Sequence, residues 1–431
     1  MNKSELKTMA IHTIKAHATE LIALNKTLTA CPELGFAEHK TSAAIKVQLE
    51  KYGVKDISPI ALTGQKGWTR GKNSAASVML IGELDAVISP NHPQADKVTG
   101  AAHACGHAAQ LAVLAGSAVG ISAIAPYLDG DVCFAAAPAE EFIQMELRQS
   151  LRKAGKIEWL GGKQQMIHEG AFDDVDMAMM IHAETNAPYP RVVTGGKSLG
   201  FIGKEIRFTG REAHAATPWL GVNALNAANL FISAINALRE TFRAEDRVRV
   251  HAIITKGGDI VNTVPADVRM ECHVRAENQT AMALVSRQIN NAVSGCAHAL
   301  GVKSQVTDIP GYYPLEQNAE LDKLFIANTR NTAPDITVES GLPFGGSTDM
   351  GDVSWLMPAI HPSISGFTGA LHSADFKVLD EYMACILPAM LMVMTVIDLL
   401  ADGASEALRI KKHYPRKTKE EYKAMWEASI I

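Results

Sequence analysis

At 431 residues the chain is too long for one ordinary hydrophobic core, so two or three domains are expected. Hydrophobic residues at 47% and charged residues at 20% describe a globular protein, and a net charge of −5 leaves no electrostatic footprint for a nucleic acid partner. Six scattered cysteines form neither a CxxC pair nor a disulfide scaffold, which fits reduced thiols in a cytoplasm.

The first twenty residues mix Lys, Glu and His without an apolar run, so no secretory leader is expected. Helical spacing then continues to about Tyr52, broken by Pro32 and Gly35 in Cys31-Pro32-Glu33-Leu34-Gly35-Phe36, a turn between helices. Residues 77–81 form a short apolar run that ends abruptly in Gly82-Glu83-Leu84-Asp85. The pattern recurs: 132–137 runs into Glu140-Glu141, 177–181 into His182, and 360–367 leads to His372. In an open α/β sheet the active site lies beyond the carboxyl ends of the strands, so four strands followed by Asp, Glu or His converge on one place. Helical stretches at 108–124 and about 144–151 supply the alternation of an α/β fold, a mixed and mostly parallel sheet flanked by helices.

From about Val193 the texture changes. Strand 200–208, helix 222–241, strands 248–255 and 268–276, helix 280–300 and strand 302–308 spell a ferredoxin-like α+β unit. It interrupts the first domain, because His372 comes after it; the expected division is 1–192, an insert at 193–310, and a return at 311–431. Near the end, 383–397 is almost wholly apolar, but it contains Pro388, stops at Asp398 and falls short of the ~18 residues of a membrane span. A buried core helix is expected, with no membrane partner. The basic run Arg409 to Lys417 sits beside acidic residues and reads as a solvated helix face.

Within His103-Ala104-Cys105-Gly106-His107 a thiol and an imidazole stand two residues apart around a glycine that permits a tight turn. With Glu141, His182 and His372 they make a mixed thiolate, imidazole and carboxylate set suited to a borderline-soft divalent metal. Five ligands exceed a closed four-coordinate site, which leaves two adjacent ions or one ion with an open position. Of the adjacent Glu140 and Glu141, one carboxylate can bind metal while its neighbour faces the substrate, where a carboxylate beside a metal-bound water is a natural general base. Asp85 is placed to hydrogen-bond a ligand imidazole and fix its tautomer. In the insert, His214 lies on a loop, Asn262 on a strand connection and Arg275 near a strand end, an amide and a guanidinium suited to gripping a substrate carboxylate.

The segments PELGFAEHKTSA, GELDAV, HACGH, PAEE, FTGREAHAATPWLGVNAL and GGDIVNTVP resemble, in order and across most of the chain, the zinc- or manganese-dependent amidohydrolase and carboxypeptidase family that includes hippurate, auxin-conjugate and aminobenzoyl-glutamate hydrolases. The resemblance implies a two-metal catalytic domain with an inserted lid or dimerisation domain, one or two Zn²⁺ or Mn²⁺ ions per subunit, and a homodimer or higher homo-oligomer acting on a small molecule. It assigns Cys105 to bridge the ions, His107, Glu141, His182 and His372 to complete their shells, and Glu140 as base. It also assigns Asp85 as the acid behind the ligands, His214 to a partner subunit's site as oxyanion stabiliser, and Asn262 and Arg275 to the substrate's polar groups. Three positions depart from the family pattern: Ala108 for Asp or Asn, Val87-Ile88 for Leu-Pro, and Ala183 where Pro follows the histidine. The expected reaction is cleavage of a C–N bond in an N-acyl amino acid, dipeptide or aromatic amide. The competing readings are hydrolytic deamination of an aromatic or other non-peptide amine, and a metal-free binding protein of the same fold.

Overall fold

The computed structural model describes residues 1–186 and 189–430; Ala187, Pro188 and Ile431 lie outside the described residues. The chain divides into two compact units. One comprises Met1–Lys197, Glu316–Pro343 and Asp352–Lys419, the other Ser198–Leu315, Phe344–Gly351 and Glu420–Ile431.

The first unit is built on a six-stranded sheet in the order Lys55–Ile60, Gly64–Thr69, Asp131–Ala137, Ser77–Glu83, Met177–Met180, Ala359–Ile360. The last four strands run parallel, so their carboxyl ends point the same way. Strands Ser77–Glu83 and Asp131–Ala137 are buried along their whole length, as the unbroken apolar runs in sequence require for a sheet covered on both faces. The covering helix His107–Ile124 packs against Lys3–Ala16, Ala18–Thr29 and Leu387–Leu400. A Cβ on Gly120 would stand 2.8 Å from Ile14 Cδ1 and 3.1 Å from Val393 Cγ2, so a larger residue there would have to displace both neighbouring side chains.

Two sequence expectations need correction. The run 360–367 is no single strand: Ala359–Ile360 joins the main sheet, Ser363–Ile364 pairs in a separate small sheet, and Phe367–Thr368 forms a hairpin with Lys377–Val378. Pro362, which has no N–H to give a ladder, and Gly366 at φ +132° divide it. The apolar stretch near the end is longer than 383–397, because a π-helical turn, Tyr382–Ile386, leads directly into Leu387–Leu400, with Pro388 at the junction of the two. This helix and His107–Tyr127 are long and apolar enough to cross a membrane, yet 94% and 89% of their apolar windows are buried inside the fold.

The second unit contains the strands and helices Gly200–Thr209, Ala224–Leu238, Arg249–Lys256, Asp267–Ala276, Gln279–Ala299 and Lys303–Pro310. Its four strands pair antiparallel, with the first and third in the middle. Segments Phe344–Gly351 and Glu420–Ile431 also belong to this unit, and Trp426 and Tyr422 of the closing helix are fully buried.

Candidate metal centre

The cluster is organised by the backbone at Gly106. This residue caps the helix that begins at His107 with φ +91°, and a Cβ there would lie 2.7 Å from Ala183 Cβ. Both the left-handed conformation and the contact demand glycine, and the result aims Cys105 and His107 at one volume.

His107 is fully buried and its Nδ1 lies 2.8 Å from the carbonyl oxygen of Asp85, which can only accept. Nδ1 therefore holds the proton and the lone pair of Nε2 faces inward. That nitrogen stands 3.1 Å from Glu83 Oε2. Across the cluster, Cys105 Sγ is 3.5 Å from His182 Nε2 and 3.3 Å from His372 Nε2, and His372 Nε2 is 3.0 Å from Glu141 Oε1. Two sets of three donors, Cys105 with His107 and His182, and Cys105 with Glu141 and His372, each lie within 4.8 Å, with the thiol common to both.

These donors fit a metal. With metal–nitrogen near 2.05 Å and metal–sulfur near 2.3 Å, ligands of one tetrahedral ion sit roughly 3.3–3.6 Å apart, the spacing seen around Cys105. Among the described residues the buried atoms His107 Nε2, Glu83 Oε2 and Glu141 Oε1 make no hydrogen bond, although they stand 3.0–3.1 Å from one another or from His372 Nε2, a crowding of lone pairs that is costly unless a cation takes them. The electrostatics agree. Burial, Glu141 and Glu140 push the Cys105 thiol well above its usual range; a thiolate here requires positive charge beside it. Burial would lower His107, but Glu83 and Cys105 raise it well above an ordinary imidazole.

The carboxylates have distinct supports. Asp85 Oδ2 accepts the Glu141 N–H at 2.9 Å, so Asp85 touches the backbone of one candidate ligand and the ring of another. Glu140 falls with Glu83 and His107 in a third close set. Both glutamates follow Ala139, held at φ +51°. Glu38, fully buried, accepts the Ala139 N–H at 2.8 Å, and the buried Arg148 guanidinium donates to the carbonyls of Ala139, Leu160 and Glu141. His372 is likewise left-handed at φ +64°, pinned by its N–H to the Ala104 carbonyl at 2.7 Å. Strain of this kind persists where surrounding contacts determine it.

Three features escape the sequence reading. Glu83 closes the strand two residues before Asp85 and joins the cluster with His107 and Glu140, a carboxylate at a strand end that the sequence already showed. Lys163, on the short helix Gly162–His168, is fully buried with Nζ 2.6 Å from Glu83 Oε1, and nothing local marks it. His361 sets its ring edge-on to His182 at 5.4 Å. The remaining candidates belong to the other unit. His214 and Asn262 are exposed neighbours there: His214 bridges to Thr263, and the Asn262 carbonyl accepts the Ala215 N–H at 2.8 Å. Arg275 lies apart from them on its strand, donating to Ser347 Oγ at 2.6 Å with its guanidinium over the Phe201 ring.

Residues 197–297 match the model of the peptidase dimerisation domain. The mouse (Mus musculus) Xaa-Arg dipeptidase is 26% identical over 96% of this chain and 94% of its own length. An IAA-amino acid hydrolase of Arabidopsis thaliana is 26% identical over 84% of this chain and 82% of its own. Among solved structures, a dinuclear metal-binding peptidase of the M20 family from Bacillus subtilis superposes with TM-score 0.70 at 20% identity, covering 90% of this chain and 99% of that one; at that identity the likeness concerns the fold.

Proposed function

We propose that the chain is one of the metal-dependent amidohydrolases and peptidases that share this dimerisation domain, and that it hydrolyses the C–N bond of a small N-acyl amino acid, dipeptide or aromatic amide. The observation that carries the reading is the Cys105 thiol shared between two donor sets, with a carboxylate, Glu140, adjoining the ligand Glu141.

In this reading Cys105, His107 and His182 would hold one divalent ion and Cys105, Glu141 and His372 a second. A thiolate and three imidazoles would favour Zn²⁺, with Mn²⁺ the competitor where it is more abundant. Ions bound there supply Lewis acidity for the scissile carbonyl and lower the pKa of water. Glu140 accepts the proton of the attacking water and delivers it to the departing nitrogen. Asp85 keeps His107 in the tautomer that leaves Nε2 free. Lys163 neutralises Glu83 on the side away from His107. His214, exposed on the dimerisation domain, serves the site of a neighbouring subunit by stabilising the developing oxyanion, while Asn262 and Arg275 hold the substrate's polar groups. The assembly is a homodimer or a larger homo-oligomer, and the reduced cysteines suit a cytoplasm.

The test is a product-identified panel of N-acyl amino acids, dipeptides and aromatic amides, run with metal restored, on the wild type and Glu140→Gln. Amine and carboxylic acid should appear together, and Glu140→Gln should lower kcat about 10²- to 10⁴-fold while metal content is retained. Ammonia without a carboxylic acid would point instead to deamination, and an unchanged kcat would remove Glu140 from the mechanism.

A further inference from the structure

Beside the turn that carries Cys105 and His107 lies a cavity of about 210 Å³ within the first unit. Gly106, Ala108, Ala109, Phe367, Phe376 and Val378 form its apolar wall, and none of the five candidate metal ligands lines it. Phe367 and Phe376 stack at 5.6 Å and 17°, and an atom of each ring lies 3.7 Å from where a Gly106 Cβ would be.

The polar part of the lining decides what the cavity can hold. Its two imidazoles are spent or shut off: His92 gives Nε2 to the Phe376 carbonyl at 2.9 Å and accepts the Gln94 N–H on Nδ1 at 3.2 Å, while both His103 ring nitrogens are sealed from solvent. The Thr29 hydroxyl turns to the Asn25 backbone carbonyl at 2.7 Å. Asn25, on the helix Ala18–Thr29, is different. The residue is only 3% exposed, yet its amide nitrogen makes no hydrogen bond among the described residues and is not one of the sealed atoms. The cavity it lines is the open space beside it, and a buried amide donor ordinarily finds an acceptor. Three charged side chains also line the space. Lys26 pairs with Glu381 at 2.6 Å, whereas the exposed Lys377 forms no ion pair among the described residues. Two lysines against one glutamate leave one positive charge.

We propose that this cavity is a binding site for a small monocyclic aromatic carboxylate, its ring against Phe367 and Phe376 and its carboxylate taken by Lys377 and the Asn25 amide. Size supports the class, since engineered cavities of about 150 Å³ take up benzene, and the extra volume admits one carboxylate. Charge supports it too: a monoanion balances the single unmatched lysine. A carboxylate is an acceptor on both oxygens, so it can serve the ammonium and the amide N–H together, which a hydroxyl or an amine does less well. The stacked phenylalanines favour a ring over an alkyl chain, because aromatic pairs gain beyond the area they bury. The proposal is independent of the hydrolase reading, because no candidate metal ligand touches the occupant.

The experiment titrates full-length, metal-restored protein with benzoate and with benzyl alcohol by calorimetry, and soaks crystals with 4-bromobenzoate, whose bromine marks its position by anomalous scattering. Benzoate should bind at least about tenfold more tightly than benzyl alcohol, the margin of one charge-assisted hydrogen bond. The soaked crystal should place bromine beside Phe376 and the carboxylate within hydrogen-bond reach of Asn25. Lys377→Gln, at an exposed position that tolerates the change, should weaken benzoate about fivefold and leave benzyl alcohol as it was. Equal affinity for the two probes in the wild type would overturn the proposal, as would benzoate binding unchanged in Lys377→Gln. Bromine found only beside Cys105 and His372 would overturn it as well, because the carboxylate would then be captured by the metal and not by this cavity.

Discussion

Glu38 offers the sharpest test of how the glutamate pair is held. Its carboxylate is fully buried, accepts the Ala139 N–H at 2.8 Å and the Thr63 hydroxyl at 2.6 Å, and is raised from 4.5 to about 7 by burial and by the charge of Asp85. A carboxyl raised in the folded state contributes its full stability below the unfolded value, and that contribution is lost as pH rises through the folded value. The window is therefore about pH 4.5 to 7. At 1.36 kcal/mol per unit the loss has a ceiling of about 3 kcal/mol. Glu38→Gln never ionises, keeps an oxygen for Ala139 and turns an amide N–H towards Thr63. Its unfolding midpoint relative to wild type should rise between pH 5 and pH 8, with kcat within a few fold, since Ala139 stays clamped. Glu38→Ala should behave differently: two buried donors lose their acceptor at about 1–3 kcal/mol each, and a shift of about 1 Å at Glu140 would cost on the order of 10² in kcat. Thermal or denaturant unfolding at both pH values, with steady-state kinetics, reads all of this. A stability difference between Gln and wild type that is flat with pH, or that falls towards pH 8, refutes the reasoning.

Sharing of the thiol predicts unequal metal losses: by elemental analysis Cys105→Ser should lose both ions, while His182→Ala and His372→Ala should each lose one, and equal stoichiometry in all three would break the two-set assignment. If His214 serves a neighbouring subunit, mixing inactive His214→Ala with inactive Glu140→Gln should restore part of the activity through hybrid oligomers; proven subunit exchange without recovery would reject the role. Asp322, buried and raised from 3.8 to about 6 by that burial against a hydrogen bond from Thr194, loses stability as pH climbs through this range. Asp322→Asn should gain up to about 3 kcal/mol on the wild type between pH 4 and pH 7, and unfolding midpoints that stay parallel with pH would contradict the assignment.

Much of the architecture was legible because it depends on short-range patterns. Apolar runs broken by acidic residues marked Ser77–Glu83 and Asp131–Ala137, and strand parallelism then brought Asp85, Glu140 and Glu141 together. The failures come where the chain breaks pattern to serve the site. The run after Ala359 looked like one strand, yet it visits three sheets before delivering His372 on a left-handed residue. Lys163 and Arg148 carry no local sign of burial, because their partners, Glu83 and the carbonyls around Ala139, are set by tertiary contacts.

The charge balance explains why those two cations matter to the chemistry. Glu83, Asp85, Cys105, Glu140 and Glu141 are five groups able to carry negative charge in one buried region, whereas the overall charge of −5 is spread over the chain and reveals nothing of the cluster. Lys163 takes one oxygen of Glu83, and the Arg148 guanidinium donates to the backbone carbonyls of Ala139, Leu160 and Glu141. Fixed protein cations thus stabilise the frame and leave the lone pairs at its centre to something smaller and more highly charged. In the proposed reading a divalent ion is the group that meets both conditions, and the same frame would hold Glu140 next to it, with the backbone before it fixed by Glu38 and Arg148.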